Sequence, residues 1–139
     1  MSNTDETTLF ERVGGLDFFV SLVDHFYEGV VGDEVLWSLY PDQSDLVGAK
    51  HRLALFLGQY WGGPDTYNQE RGHPKLRLRH MPFHVGPLER DRWLLHMAAA
   101  IKATTTDAAI RGELTAYFVP AAEHLRNDTG LPISSSRPN

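Results

Sequence analysis

Residues 71–85, RGHPKLRLRHMPFHV, hold three of the seven histidines, two prolines and four of the thirteen cations, with apolar residues threaded between them. Gly72 and Pro74 break any preceding element, and Pro82 limits how far a helix can continue beyond it. One or two helical turns fit over residues 75–81, with His80 near the end. Leu76 and His80 are four apart and share a helical face, while Arg77 and Arg79 point elsewhere. An imidazole beside a leucine, flanked by arginines, suits an iron porphyrin. The imidazole ligates the metal, apolar side chains cover the macrocycle, and cations meet its carboxylates. Read alone the stretch is only suggestive, because a helical histidine is more often a surface or capping residue than a ligand.

Composition narrows the chemistry further. A chain of 139 residues with 42% apolar and 22% charged side chains makes one globular domain with a real core. The absence of cysteine excludes disulfides, thiolate-ligated haem, iron–sulfur clusters and cysteine zinc sites together, leaving any metal to His, carboxylate or Tyr. The start, MSNTDETTLF, lacks the basic residues and apolar run of a signal peptide, and no run is long enough to span a bilayer. The expectation is therefore a cytoplasmic protein without a membrane partner. A net charge of -5 argues against nucleic acid, and the basic patch at 75–79 reads as a solvated helix edge unless an anion sits there.

The elements that must position these groups follow from periodicity, in an all-α pattern without period-2 segments. Thr8 and Glu11 fit a capping box for a helix cut short by Gly14-Gly15. A helix is expected over 16–31, with Phe19, Val23, Phe26, Tyr27 and Val30 on its apolar stripe. Asp33 or Ser38 can cap brief turns through Val35, Leu36 and Leu39 before Tyr40-Pro41. Ser44 or Asp45 opens a helix to about residue 61, with Leu46, Ala49, Leu53, Phe56, Leu57 and Tyr60 on its stripe. Gly62-Gly63-Pro64 stops it, and residues 65–73 read as a polar loop with room for one turn. Pro87 suits the first position of a helix that buries Trp93, Met97, Ala100 and Ile101 and ends at the Thr104-Thr105-Thr106 run. A last helix is expected over 107–126, kinked at Pro120, with Ile110, Leu114, Tyr117, Phe118, Ala121 and Leu125 inside. The domain thus spans 9–126, between a loose stretch at 1–8 and a tail at 127–139 that is disordered by composition.

Tyr27, Tyr40, Trp93 and Tyr117 are polar aromatics near these stripes. Each taken singly can be satisfied by a backbone carbonyl, whereas several converging on one cavity would make a pocket for a small polar ligand. Periodicity cannot show convergence. His25 and His51 lie beside the strongest stripes and read as exposed. His73 precedes a proline, His84 lies beyond Pro82, and His96 and His124 fall on helix flanks. No HExxH, GxSxG, P-loop or GxGxxG pattern occurs.

Gly14-Gly15 and Gly62-Gly63-Pro64 resemble the paired glycines of the truncated haemoglobins. QYWGGP (59–64), RGHPKLRLRHMPFHVG (71–86) and ERDRWLLHM (89–97) resemble the second, O-type group of that family, and the likeness extends over about residues 9–125. The resemblance implies a two-over-two helical sandwich, a shortened globin, enclosing one haem b. It matches His80 to the proximal iron ligand, Trp93 to the group's distal indole, and Tyr27 and Tyr40 to distal tyrosines. Ala49 stands where vertebrate globins carry a distal histidine, so no imidazole is expected on the iron from that side. Leu53 and Phe56 match the distal wall, with Leu57 on the same stripe. Leu76, Phe83, Val85 and Met97 match residues packed round the haem, and Arg79 and Tyr67 match partners for its propionates.

The resemblance implies binding of O₂, and also of CO, NO or other small ligands, at five-coordinate iron. Three hydrogen-bond donors in a dry pocket would make O₂ release slow, which serves holding or sensing better than transport. An enzyme using the same iron is the alternative: NO dioxygenation to nitrate, or peroxide-driven oxidation, with an external reductant and so a reductase partner. A non-haem helical interaction module is the third reading, and leaves the match around His80 and Trp93 unexplained. A homodimer with Trp37 and Trp61 at its interface stays open beside the reading of both as packing at the core edge.

Overall fold

The computed structural model describes residues 7–40, 43–72 and 85–125. The expected histidine helix, with Leu76, Arg79, His80 and Phe83, lies outside the described residues, as does the tail at 127–139. Among the described residues the secondary structure is entirely helical, and no helix is long and apolar enough to cross a membrane.

Thr8 accepts the Glu11 N–H at 3.1 Å and opens α1 (Leu9–Arg12), which ends at once in the Gly14-Gly15 turn. Next comes α2 (Leu16–Val31), burying Phe19, Leu22, Val23, Phe26, Tyr27 and Val30 at helical spacing. Asp33 caps α3 (Glu34–Trp37) by accepting the Val35 N–H at 3.0 Å. Asp45 caps α4 (Leu46–Tyr60) through the Gly48 N–H. Beyond α5 (Thr66–Arg71), Pro87 occupies the first turn of α6 (Pro87–Thr104), where the Gly86 N–H donates to the Glu89 carboxylate at 2.9 Å. Asp107 caps α7 (Ala108–His124) by accepting from the Ala109 and Ile110 N–H groups.

The helices pack as two pairs. Helix α2 lies against α4, α6 lies against α7, and α2 also packs on α6, which joins the pairs around one core running from Leu9 to Phe118. Short α3 bridges α2 and α6. Near the end of α4, Trp61 stacks on Phe19 at 5.9 Å, and Phe19 in turn stacks on Phe10 of α1 at 6.1 Å. The Phe10 N–H donates to the Trp61 carbonyl at 3.1 Å, so α1 is tied directly to the turn at the end of α4. That closeness requires glycine: Gly62 has φ +106°, and a Cβ on it would lie 2.5 Å from Thr8. The Arg12 guanidinium makes two 2.7 Å bonds to Glu113 of α7, an exposed pair that adds little to stability.

Two expectations need correction. The polar stretch read as a loop is helical over Thr66–Arg71, because Gln59 reaches across from α4. It donates to the Asn68 side chain and accepts the Asn68 N–H, each at 3.0 Å, while Tyr67 buries its ring against Phe56. Tyr60, placed on the buried stripe of α4, is 53% exposed, because the end of the helix runs past the core and leaves the ring lying on Tyr117 at 4.3 Å. Trp37 and Trp61 are both half-buried, in ring contact with Tyr40 and with Phe19, Tyr60, Tyr117 and Phe118 respectively.

Gly62→Ala combines a strained backbone with a clash against Thr8, and is expected to lower the unfolding free energy by about 1–3 kcal/mol. Urea denaturation followed by far-ultraviolet circular dichroism measures it; an unchanged midpoint would mean that α1 does not depend on this approach.

Candidate functional site

Between the two helix pairs lies a cavity of about 300 Å³. Helix α2 contributes Phe26 and Tyr27, and α3 with its adjoining turn contributes Leu36, Leu39 and Tyr40. Leu53, Phe56 and Leu57 come from α4, while Val85 and α6 supply Glu89, Arg90 and Trp93. Helix α7 closes the space with Tyr117, Phe118, Ala121 and Ala122, and Leu125 lies just beyond them. The walls are mainly hydrocarbon and aromatic, with a few polar groups set among them, the composition expected of a small-molecule or cofactor pocket.

Of the residues singled out from sequence, Tyr27, Tyr40, Leu53, Phe56, Leu57, Val85 and Trp93 converge on this cavity. Three others lie off its described lining. Met97 is buried in the core beneath α6, Ala49 is half-buried against the core, and Tyr67 stands behind Phe56 at a ring separation of 5.6 Å. The half-burial of Leu53 and Phe56 has a simple cause: α4 turns Ala54, Leu57 and Gly58 into the core and leaves its neighbouring face to the cavity.

Tyr27 and Tyr40 meet edge to face at 5.8 Å, and their hydroxyls hydrogen-bond each other. Burial raises the Tyr27 phenol above its ordinary value of 10, opposed by the hydrogen bond from Tyr40 and by the Arg52 charge. Burial, and then the charge of and hydrogen bond to Tyr27, push Tyr40 well above that value. Both phenols are neutral at pH 7, so either hydroxyl can donate to the other. The Trp93 indole is wedged between Phe26 at 5.1 Å and Phe118 at 5.6 Å, so its place on the wall is set by α2 and α7 as well as by α6. Arg90 stands one turn before Trp93 and pairs with Asp91 at 2.6 Å and with Glu123 of α7.

Sequence reasoning did not find Arg90, Glu89, Leu36, Phe118 or Ala121 as wall residues. For the first two a signal existed: positions 89 and 90 are four and three residues before Trp93, on the same helical face. His96, read as a flank residue, is instead built into the fold. Its Nε2–H donates to Asp33 Oδ2 at 2.7 Å, and Arg92 Nε donates to the same oxygen at 2.8 Å. Burial pushes the Asp33 carboxyl up, but the hydrogen bonds from His96 and Arg92, the Arg92 charge and the Leu36 N–H outweigh it and bring it to about 2. His51 pairs with Glu70 at 3.2 Å on the surface and is exposed as expected, whereas His25, beside the buried Phe26 on α2, is half-buried.

Two pairs of helices packed around an aromatic-walled cavity, with a tyrosine couple and an indole on its lining, have the architecture of a truncated globin. Solved structures share that fold. A thermostable haemoglobin from the actinobacterium Thermobifida fusca is 50% identical with a TM-score of 0.83, the match covering 87% of this chain and 98% of that one. A truncated oxygen-avid haemoglobin from Bacillus subtilis is 36% identical with a TM-score of 0.80, covering 87% and 100%. In sequence, the group 2 truncated hemoglobin YjbI of Bacillus subtilis (strain 168) is 37% identical over 127 residues, which is 91% of this chain and 94% of that protein. The model of the bacterial-like globins matches residues 8–127. The chain belongs to the bacterial-like globin family, among the group II truncated haemoglobins. The class of its cofactor follows from that membership: it is a haem protein that binds ligands. The lining fits such a group, since Leu53, Phe56, Leu57, Val85 and Phe118 offer apolar surface to a flat macrocycle while the tyrosines offer polar atoms to something small.

The ordinary Asp value of 3.8 against about 2 in the fold is worth roughly 2 kcal/mol. A depressed carboxyl stabilises the fold above the unfolded-state value, and the contribution is lost as pH falls through the folded-state value. The stability advantage of the protein over its Asp33→Asn variant is therefore expected to be full at pH 7 and to shrink below about pH 4. Urea midpoints of the two proteins across that range check it; a gap independent of pH would contradict the clamped carboxylate.

Proposed function

We propose that this globin binds O₂, and also CO and NO, at haem b ligated by His80, and that Tyr27, Tyr40 and Trp93 retain the bound ligand. The observation that carries this reading is the convergence of those three polar aromatics on one apolar-walled cavity. Haem, held by His80, would supply an iron able to bind a diatomic ligand.

The chain's own residues do the rest. The Tyr27 and Tyr40 hydroxyls can each donate to the ligand or to the other, and a phenol that accepts from its neighbour donates more strongly. The Trp93 indole has one N–H and no acceptor, so toward a ligand it can only donate. Ala49, proposed for the place of a distal histidine, would bring no imidazole to the iron. Leu53, Phe56, Leu57 and Val85 would cover the macrocycle and exclude water, so each polar contact is worth more than it would be in solvent, and Leu76, Phe83 and Met97 are the further partners proposed for it. Arg79 and Tyr67 are the partners proposed for the propionates. Release of the ligand leaves these donors without it in a dry space, which makes release slow.

Tyr27→Phe, Tyr40→Phe and Trp93→Phe are each expected to speed O₂ dissociation by about two- to tenfold, the effect of one neutral hydrogen bond. Stopped-flow displacement of O₂ by CO measures it, and three unchanged rates would remove the proposed role of the pocket.

His80→Ala is expected to abolish stable haem binding. The Soret band after expression with haem and gel filtration reports this; retention of a full band would assign the axial ligand to another residue.

A further inference from the structure

Asp33 is a buried carboxylate, 3% exposed, whose two oxygens have separate tasks. Oδ1 accepts the Val35 N–H at 3.0 Å and caps α3. Oδ2 accepts from Arg92 Nε at 2.8 Å and from His96 Nε2 at 2.7 Å, both on α6. Room for the imidazole comes from a third helix: a Cβ on Gly29 of α2 would lie 2.2 Å from His96 Nδ1. One carboxylate therefore joins α3 to α6 at a point where α2 has been thinned to admit the bond.

The consequence reaches the cavity through short paths. Arg92 is the neighbour of Trp93, and α3 runs through Leu36 into the turn that carries Leu39 and Tyr40 to the lining. Helix α3 is four residues long and buries Leu36 as its anchor, and a single helical turn has little intrinsic stability. Its orientation must come from tertiary bonds, and the bonds to Arg92 and His96 are charge-assisted and converge on a buried carboxylate.

We propose that Asp33 is a positioning residue for ligand retention: through Oδ2 it locks α3 to α6, which holds Tyr40 in register with Trp93 and so aims the Tyr27 hydroxyl. This rests on Tyr27, Tyr40 and Trp93 acting as the ligand's donors. Arg92 and His96 touch neither cavity nor ligand in this scheme and act through Asp33.

Asp33→Asn separates the two tasks. The amide oxygen still caps Val35, while an NH₂ group faces the Arg92 and His96 donors. Gly29→Ala displaces the His96 ring without changing any hydrogen-bonding group, and serves should the first variant fail to fold. The haem-loaded proteins, with Tyr40→Phe and the Asp33→Asn/Tyr40→Phe double variant, are compared by infrared spectroscopy of the CO complex, by O₂ dissociation rate and by Tm. The expected result is a shifted C–O stretching band in both clamp variants and O₂ release about three- to tenfold faster in Asp33→Asn. In the double variant the second substitution should add little, because both act through one hydroxyl. A lowered Tm with the C–O band and release rate of the unaltered protein would overturn the proposal, leaving Asp33 a purely structural tie. If Tyr40→Phe itself leaves release unchanged, the clamp has nothing to act through and the proposal falls at its base, an outcome that the single Tyr40 variant distinguishes from the first.

Discussion

A chain of 139 residues has to keep a cavity open inside a packing of few helices, and rigid rings make this feasible. Protein interiors close over voids because unpaired surface atoms lose their dispersion contacts. Here, rings in unbroken contact run from Phe10 through Phe19, Trp61 and Phe118 to Trp93, Phe26, Tyr27 and Tyr40. Aromatic pairs of this kind contribute about 0.5–1.5 kcal/mol each beyond their buried area. Their side chains have few rotatable bonds, so the walls they make do not readily collapse inward. The edges of the cavity are braced against one another, helix to helix, by these ring contacts.

The second constraint is electrostatic. An apolar interior tolerates polar groups when they are satisfied, and no described buried side-chain N or O atom lacks a partner. Tyr27 and Tyr40 satisfy each other, and Asp33 is satisfied by a helix N-terminus and two cationic or imidazole donors. These two arrangements are adjacent, since the α3 segment begins at Asp33 and the turn at its end reaches Tyr40. A shift in that one short segment would disturb the carboxylate at one end and the phenol pair at the other. This coupling explains why a four-residue helix can be well defined at all.

Much was legible because it depends on local chemistry. The bounds of α2, the caps at Thr8 and Asp33, and Pro87 in the first turn of α6 are all settled within a few residues of chain. The globin character was legible too, but by likeness of the segments around Gly62, His80 and Trp93, since spacing alone left an imidazole and some polar aromatics without a common place. The helix at Thr66–Arg71 was obscured because its stabilising partner, Gln59, is distant in sequence and its residues are polar. His96 was read as a flank residue because its two reasons for burial, Asp33 and Gly29, lie on other helices.

By itself, then, the amino-acid sequence determined the helical class, most helix limits, the cysteine-free ligand chemistry and the family. The first three are carried by composition, by nearest neighbours along the chain or by residues three and four apart on one helix, and the family by likeness of whole segments. Tertiary structure decided which faces meet: that Tyr27, Tyr40 and Trp93 share a cavity, that Tyr60 is left outside the core, and that Asp33 binds two helices with one carboxylate. Such relations depend on the angle and separation at which helices pack, and these arise from the sum of many weak contacts between segments far apart in sequence. No local pattern encodes that sum.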